Sequence, residues 1–407
     1  MNITAIQPLL PSIEKCDELR SQACNVIAGS AAIAGKLHPK TLQAVENLLR
    51  IVNSYYSNLI EGNSTHPSDI EDATNGHYDA DTAKRELQLE GLAHIHCQRI
   101  IAERLVSGEE FRPAGKEFLC WVHKEFYDQL PESMHYVTHN EKDVRIRVVG
   151  GELRTGGVIV GRHVAPQKDI ISDMLQVFET TYAGRVHGDT RIIAAAAAHH
   201  RLMWIHPFFD GNGRVARLFT DAYFKSIPVR GYGLWSVSRG LARDRDKYKA
   251  MLANTDMVRQ GPLDGRGNLS EKRVIEWCAY FLDICLDQTD YMSRMLDVDN
   301  LLSRVDGYVR LRHERMIPDP CPGRYQGLNL EAANVIKEVI LHGELGRGEA
   351  AAFTGLTRKG RDIVGQLVSE KILVSDTPKG PVRLGLPVDM AGKLFPEIYP
   401  DKVGIFL

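Results

Sequence analysis

The twelve residues from His206 to Arg217, His-Pro-Phe-Phe-Asp-Gly-Asn-Gly-Arg-Val-Ala-Arg, combine groups that suit phosphate chemistry. The unperturbed pKa of histidine lies near physiological pH, so His206 can act as a general base. Asp210 offers the hard carboxylate oxygen that Mg²⁺ prefers. Gly211 and Gly213 let the backbone approach a ligand closely, and the free N–H groups at the start of a helix bind anions. This stretch therefore predicts an anion site with a base and a carboxylate beside it.

The residues after this turn predict a helix that carries two arginines at its start. Apolar residues follow at the spacing of one buried helical face, namely Val215, Leu218, Phe219, Ala222 and Tyr223. Arg214 and Arg217 are three residues apart and are neighbours on the helix surface. Cations are unfavourable at a helix N-terminus by roughly 0.3–1 kcal/mol, so a bound polyanion would compensate for their position. The alternative is a polar turn with two solvated arginines.

Two other interpretations of these residues fail on physical grounds. The dinucleotide fingerprint GxGxxA, which residues 211–216 match, must follow a buried strand, yet residues 191–205 are rich in alanine and predict a helix. A zinc ion shared by His199 and His206 is excluded because the intervening helix would separate them by about 10 Å, whereas zinc–nitrogen bonds are about 2.0–2.1 Å long. We expect His199 and His200 to pack inside the protein or to support the site.

The pattern His206-x-Phe208-x-Asp210-Gly-Asn-Gly-Arg214-x-x-Arg217 resembles the Fic motif HxFx(D/E)GNGRxxR at every fixed position. The resemblance implies a mainly α-helical Fic fold and transfer of AMP from ATP to a Tyr, Thr or Ser hydroxyl of a protein, with release of pyrophosphate. Such a transfer needs positioning and charge neutralisation from the protein, which these residue types can supply. The implied roles are proton acceptor for His206, loop anchor for Phe208, Mg²⁺ ligand for Asp210, anion hole for Gly211, Asn212 and Gly213, contact with the β-phosphate side for Arg214, and contact with the γ-phosphate for Arg217.

An upstream segment, Ser57-Asn-Leu-Ile-Glu61-Gly62-Asn63, resembles the inhibitory signature (S/T)xxxE(G/N) of the same family. A helix over about 39–62 is predicted from its own residues, because Pro39 suits a first turn and Gly62 suits a helix stop. Ser57 and Glu61 are four residues apart and share a face of that helix. The resemblance implies that Glu61 pairs with Arg217 and excludes the γ-phosphate, so that the enzyme is autoinhibited. The alternative is a surface glutamate at a helix end.

A β-hairpin is predicted within the otherwise helical core. Residues 144–148 alternate with period two, Gly150 and Gly151 supply a turn, and residues 156–161 are rich in glycine and β-branched side chains, which predicts one hairpin over about 144–161. The resemblance makes this hairpin a flap that binds the target by β-strand addition. The residues expected close to the target are Arg154, Val158, Ile159 and Val160. The alternative is a surface hairpin without that role.

Residues 238–249 resemble part of the family's SRYxxxNxxxYY pattern near the nucleoside. Asp244 and Tyr248 are the contacts that the likeness implies. Gly240, Asp244 and Lys249 depart from the pattern, and the negative charge of Asp244 leaves the choice of nucleotide open, with ATP favoured.

Composition and charge favour a soluble, cytoplasmic enzyme. The chain has 407 residues, 43% of them hydrophobic, and a formal net charge of −2, so we expect no overall attraction to nucleic acid or to an anionic membrane. The seven cysteines lack CxxC spacing, and we find no N-terminal signal and no apolar run long enough to span a membrane. We predict an N-terminal helical region over 1–100, a Fic core over 101–290, a helix and Pro/Gly-rich linker over 291–330, and a winged-helix domain over 331–407.

The predicted winged helix-turn-helix rests on residues 351–355 as the turn between two helices, Thr357 as the start of the second, and residues 372–384 as the wing. Basic residues at the start of the second helix could contact DNA phosphates, namely Arg358, Lys359 and Arg361. However, residues 331–407 contain ten basic and ten acidic residues, whereas DNA-binding domains usually carry a basic face. We therefore favour protein binding or dimer organisation over DNA binding.

Several functions stay open at this point. The first is an AMP transferase controlled by Glu61, which modifies a protein target or itself, with a homodimer implied by the family likeness. The second is a DNA- or protein-binding regulator whose core senses nucleotide. The third is a related enzyme that removes AMP or uses another nucleotide.

Overall fold

The computed structural model describes residues 3–107, 111–139, 144–184, 188–320 and 327–400. Most of this chain is helical, which confirms the predicted fold class. The helices of the first part are α1 Asp17–Ala34, α2 Pro39–Glu61, α3 Pro67–Thr74, α4 Thr82–Val106, α5 Lys116–Asp128, α6 Ile171–Gly184, α7 Thr190–Ile205, α8 Asn212–Ser226, α9 Val237–Arg243, α10 Arg245–Thr255, α11 Glu271–Met295 and α12 Val298–His313. Between α5 and α6 lie four short strands, β1 Tyr136–His139, β2 Val144–Arg147, β3 Ile159–Val160 and β4 His163–Val164.

Helices α7 and α8 form the centre of the fold. The alanine-rich run predicted a helix here, and Ala194 to Ala198 are all buried, so their small side chains let neighbouring helices approach closely. Helix α8 packs against α7 and also contacts α2, α4 and α5. The loop between α7 and α8 contains the residues singled out by the sequence, and its position is therefore fixed by four helices.

Helix α2 begins and ends where its capping residues predict. His38 is the N-cap, its ring accepts a hydrogen bond from the amide of Lys40, and Pro39 occupies the first turn. At the other end Gly62 adopts a left-handed conformation with φ of 100°, which glycine reaches without steric cost. Residues 67–74 then form α3, in which Pro67 again occupies the first turn and His66 is the N-cap.

The predicted hairpin over about 144–161 is wrong in its pairing. Strand β2 pairs with the upstream strand β1, with Tyr136 opposite Arg147. Strand β3 pairs with the downstream strand β4, with Val160 opposite His163. Two antiparallel strand pairs therefore replace the single hairpin, because each strand pairs with a strand adjacent to it in the sequence, and residues 148–158 link the two pairs.

The C-terminal part contains α13 Ala332–His342, β5 Glu344–Leu345, α14 Arg347–Ala352, α15 Thr357–Ser369, β6 Leu373–Val374, β7 Val382–Leu384 and α16 Val388–Leu394. The three strands form one antiparallel sheet in the order β5, β7, β6. This sequence of elements is compatible with the predicted winged helix, which stays a prediction. The predicted linker falls partly on residues 321–326, which lie outside the described residues, as do residues 401–407.

The C-terminal part rests on the N-terminal helices. The hydroxyl of Thr41 at the start of α2 donates to the carbonyl oxygen of Ile340 at 2.8 Å. The carboxylate of Glu71 in α3 accepts the amide of Val388 at the start of α16. Within the described ranges, none of the helices has the length and apolar composition needed to cross a bilayer.

Candidate active site

His206 ends α7 in a left-handed backbone conformation, with φ of 49°, and its amide donates to the carbonyl of Leu202. Such a conformation is unusual for a residue other than glycine and is often found at functional sites. The side chain is nearly buried, and burial lowers the pKa of His206 to about 4. Nδ1 lies 3.3 Å from the carbonyl oxygen of Met203, so the neutral ring donates from Nδ1 and keeps the lone pair on Nε2.

The loop after His206 is held from inside the protein. Phe208 is fully buried and its ring stacks on His123 of α5 at 3.9 Å between centroids, so its predicted anchoring contact is present. The side-chain amide of Asn212 accepts from the amide of Phe208 at 2.9 Å and donates to the carbonyl of Phe208 at 2.8 Å. Both polar groups of the Asn212 side chain are therefore engaged within the loop, and its backbone N–H stays available for the predicted anion hole.

Arg154 does not lie on an exposed flap, which corrects the sequence prediction. The residue is 2% exposed. Its guanidinium donates to the carbonyl oxygens of His206 at 2.7 Å, Gly156 at 2.8 Å and Pro166 at 2.5 Å. A single arginine thus satisfies several carbonyls of irregular backbone and ties the His206 loop to the segment that leads to β3. It is not available to contact a target protein.

Asp210 presents an ionised carboxylate at the mouth of the loop. Burial opposes its charge, but Arg214 and a hydrogen bond from the Tyr127 hydroxyl outweigh this effect and lower the pKa of Asp210. The Tyr127 hydroxyl donates to Oδ2 at 2.8 Å, and the side chain of Asp210 remains 39% exposed. His123 fixes the backbone here, because its Nδ1 accepts from the amide of Gly151 and its Nε2 donates to the Asp210 carbonyl.

We define the anion cradle as the backbone of Gly211 to Arg214 at the start of α8, together with the Arg217 side chain. Gly211 adopts φ of 76°, and α8 begins without a side-chain cap, so first-turn N–H groups have no capping partner. A Cβ on Gly213 would collide with the carboxylate of Glu61. Glu61 therefore occupies the cradle, in the place where a helix N-terminus favours an anion.

Glu61 also forms the ion pair that the resemblance implies. Nη2 of Arg217 lies 2.5 Å from Oε1 of Glu61, while Nε of Arg217 donates to the Ser57 hydroxyl at 2.8 Å. Burial opposes the charge of Glu61, but the charge and hydrogen bond of Arg217 outweigh it and lower the pKa of Glu61. The Arg217 side chain is 2% exposed, whereas that of Glu61 is 35% exposed, so the carboxylate has solvent on one side.

Arg214 is held on three sides. Nη1 donates to Oε1 of Glu90 at 2.8 Å, Nη2 lies 3.4 Å from Oδ2 of Asp210, and the guanidinium packs over the ring of Phe126. Burial disfavours its charge, but Glu90 and Asp210 more than compensate and raise the pKa of Arg214. The arginine is therefore a fixed cation beside the cradle.

The predicted nucleoside contacts differ from one another. Tyr248 is 1% exposed and its hydroxyl lies 2.8 Å from Nε2 of His199, so it is a core residue and is not open to a base. Asp244 is exposed and caps α10 by accepting the amide of Lys247. Gly240 departs from the family pattern because a Cβ there would fall 2.4 Å from the side chain of Ile284 in α11.

The hairpin β3–β4 is the exposed part of the predicted flap. Ile159 is 57% and Val160 43% exposed, and the carbonyl of Val158 accepts the amide of Ala165 at the base of the hairpin. On β4, Nε2 of His163 donates a hydrogen bond at 2.8 Å to the carbonyl oxygen of Trp204, two residues before His206. The hairpin is thereby attached directly to the end of α7.

Three residues around the site were not found from the sequence, namely Tyr127, His123 and Glu90. Glu90 and Arg214 are 124 positions apart, and no motif links them. Tyr127 and His123 both lie on the buried face of α5, which covers the loop. His199 and His200 are buried, as expected, and in both rings burial lowers the pKa, to about 3 and about 4.

Residues 114–224 match the sequence model of the Fic/DOC family, so the chain contains a Fic/DOC domain. Two relatives named protein adenylyltransferase Fic align with a short part of it. The one from Drosophila willistoni is 41% identical over 78 residues, and the one from Drosophila yakuba is 42% identical over 76. Each alignment covers 18% of this chain and 15% of the relative, so the chain matches only a small part of these proteins.

Two solved structures share the fold. A Fic-domain-containing signaling protein from Bacteroides thetaiotaomicron gives a TM-score of 0.50 at 17% identity, covering 67% of this chain and 96% of that one. Fic-1 from C. elegans gives 0.50 at 15% identity, covering 69% and 72%. The expected Fic helical fold is therefore confirmed.

Proposed function

We propose that the Fic/DOC domain of this chain is a protein adenylyltransferase that transfers AMP from ATP to a Tyr, Thr or Ser hydroxyl and is inhibited by Glu61. The observation that carries the proposal is the carboxylate of Glu61 lying over Gly213 and paired with Arg217. An anion already occupies the first turn of α8, and a triphosphate would use the same N–H groups and the same arginine.

His206 is the proposed general base. The oxygen of the target hydroxyl attacks the α-phosphorus of ATP, its proton passes to Nε2 of His206, and the bond to the bridging oxygen of pyrophosphate breaks. A neutral histidine is required, and the lowered pKa of about 4 keeps His206 neutral at physiological pH. The hydrogen bond from Nδ1 to the Met203 carbonyl orients the ring for this step.

The residues present fit a Mg²⁺ ion. Asp210 has an ionised and partly exposed carboxylate, and Mg²⁺ is commonly held by one or two carboxylates, substrate phosphates and waters. Within the described residues, no cluster of three or more His, Cys, Asp or Glu that could hold a metal is found. The ion would neutralise charge on the phosphates, with Tyr127 orienting Asp210.

The experiment compares self-labelling by ATP labelled in its α-phosphate. We expect Glu61→Gly to label itself more than the unaltered protein, because removal of the carboxylate frees Arg217 and the cradle. Adding His206→Ala should then lower the rate by about 10²–10⁴ with similar ATP affinity by calorimetry. Glu46→Gly is the control, since it removes a glutamate from the interior of the same helix, where glycine costs at least as much helix stability, and leaves the cradle intact. Equal labelling by Glu61→Gly and the unaltered chain would argue against inhibition.

Hydrolytic removal of AMP from a modified protein is a second candidate function. The favouring observation is that Glu61 is ionised and 35% exposed beside the cradle, so it can hold a water molecule. Water would attack the phosphorus and give a proton to the Glu61 carboxylate, the bond to the protein oxygen would break, that oxygen would take up a proton to restore the hydroxyl, and AMP would leave. In that case, pre-labelled protein should lose AMP in the presence of the unaltered chain but not with Glu61→Gly.

A further inference from the structure

One carboxylate joins the catalytic loop to the end of α2. Glu90 in α4 is 7% exposed. Its Oε1 accepts from Nη1 of Arg214 at 2.8 Å, and its Oε2 accepts from Nδ2 of Asn63 at 2.7 Å. Asn63 follows Gly62, and its backbone amide closes the last turn of α2 by donating to the carbonyl of Asn58 at 3.0 Å. Glu90 therefore bonds both to Arg214 in α8 and to Asn63 just after the end of α2.

We propose that Glu90 is a positioning residue that fixes the guanidinium of Arg214 and holds the C-terminal turn of α2 in place, so that Glu61 stays in the anion cradle. The proposal rests on the proposed function for the identity of the ligand that competes with Glu61. Glu90 then determines both the position of the turn that carries Glu61 and the orientation of the Arg214 guanidinium.

Glu90 and its partner Arg214 are more buried than Glu61, and this difference gives the two glutamates different roles. The side chains of Glu90 and Arg214 are each 10% exposed, and removing one partner of a buried ion pair leaves an uncompensated charge. Glu61 is more exposed and can turn toward solvent. Glu90 is therefore the fixed member, and the turn that carries Glu61 is the part that can move.

Glu90 accepts a hydrogen bond from Nη1 of Arg214, so Nε and Nη2 of the guanidinium are not used in this contact. Its Nε has no hydrogen-bond partner in the described part of the chain, and Nη2 makes only the 3.4 Å contact with Asp210. A phosphate can therefore approach Nη2 without displacing Glu90, whereas Nε is buried. In this arrangement Glu90 acts through Arg214 and does not itself contact the nucleotide.

The hydrogen bond between Asn63 and Glu90 can be tested by changes that preserve shape. Asn63→Asp puts a second carboxylate against Glu90, and like charges repel. Backbone amides of residues 58–63 should then exchange with deuterium about tenfold faster, because the turn opens more often. Self-labelling, expressed relative to Glu61→Gly in the same background, should rise although Glu61 is intact.

Adding Glu90→Gln to Asn63→Asp should reverse both effects. In the double variant the side-chain amide nitrogen at position 90 donates to the carboxylate at position 63, which reverses the direction of the original hydrogen bond. The amide oxygen at position 90 still accepts from Arg214. Ser64→Asp is the matched control, because it adds the same charge at an exposed neighbouring position. It should leave exchange and labelling unchanged.

The two readouts separate this proposal from the proposed function. If Asn63→Asp leaves amide exchange unchanged, or if Glu90→Gln fails to restore it, the role of Glu90 is overturned. If exchange follows the prediction but Glu61→Gly never incorporates AMP, the contact stands and the transferase proposal fails.

Discussion

At the scale of single residues, the site depends on environments that set ionisation. His206 is neutral because it is buried, whereas Asp210 and Glu61 stay ionised because arginines face them. The residue types and their spacing were readable from the motif, since each has one evident chemical use. The pairing of Arg214 with Glu90 was not, because only folding brings α4 and α8 together.

The pH dependence of the proposed transfer reaction follows from His206. Its pKa is lowered from the usual 6.5 to about 4, so the neutral base persists as pH falls through 6.5 and is lost only near pH 4. We expect kcat/KM of Glu61→Gly to show no acid limb near 6.5 in a rate profile between pH 4 and 8. Half-loss of activity close to pH 6.5 would contradict the buried, neutral base.

Tyr127 is expected to govern metal affinity through Asp210. Tyr127→Phe removes the hydrogen bond to Oδ2 and should raise by about 10–100-fold the Mg²⁺ concentration needed for nucleotide binding, as loss of such outer partners typically does. Calorimetric titration of ATP at several Mg²⁺ concentrations measures this. Tyr136→Phe, which removes an exposed hydroxyl bonded to Glu132, serves as the control. If Tyr127→Phe and Tyr136→Phe give the same titrations, Tyr127 does not influence metal affinity.

At the scale of elements, helices were predicted better than strands. Helix α2 carries its own start and stop signals in Pro39 and Gly62, so its bounds followed from local sequence. Strand β2 could pair on either side, and its partner was decided by residues 136–139, which carry no comparable signal. Arg154 was expected near the target for the same reason, since it lay within the predicted hairpin, whereas it is buried.

Strand addition to the flap is testable at β3. Ile159→Pro removes an N–H from this exposed strand, and it should lower labelling of other proteins in a cell extract while ATP affinity stays unchanged. Ile159→Thr retains the N–H and the β-branched shape and is the control. If Ile159→Pro labels targets as well as Ile159→Thr does, β3 does not bind the target backbone.

At the scale of the whole molecule, the helical core buries several neutral histidines. Burial lowers the pKa of His94 and His199 to about 3, and of His123, His200 and His206 to about 4. The fold class followed from the resemblance of residues 206–217 to the Fic motif. The positions of these rings did not, because the packing of α4, α5 and α7 determines which histidines lose contact with water.

These histidines predict a loss of stability in mild acid. The unfolded chain binds protons near pH 6.5 and the folded chain only near pH 3–4, so the free energy of unfolding falls as pH decreases through this window. Each unit of pKa difference corresponds to about 1.4 kcal/mol per group. Thermal unfolding followed by circular dichroism between pH 7 and 4 should show a steep decrease in Tm. A Tm independent of pH over this range would contradict the burial of neutral rings.

The central proposal is that the anion cradle presents the α-phosphorus of ATP to a hydroxyl. The most direct test incubates Glu61→Gly with Mg²⁺ and ATP labelled either at the α-phosphate or at the γ-phosphate. The account predicts covalent label on protein from the α-labelled nucleotide alone, with release of pyrophosphate. Label from the γ-phosphate, or no label from either nucleotide, would contradict it.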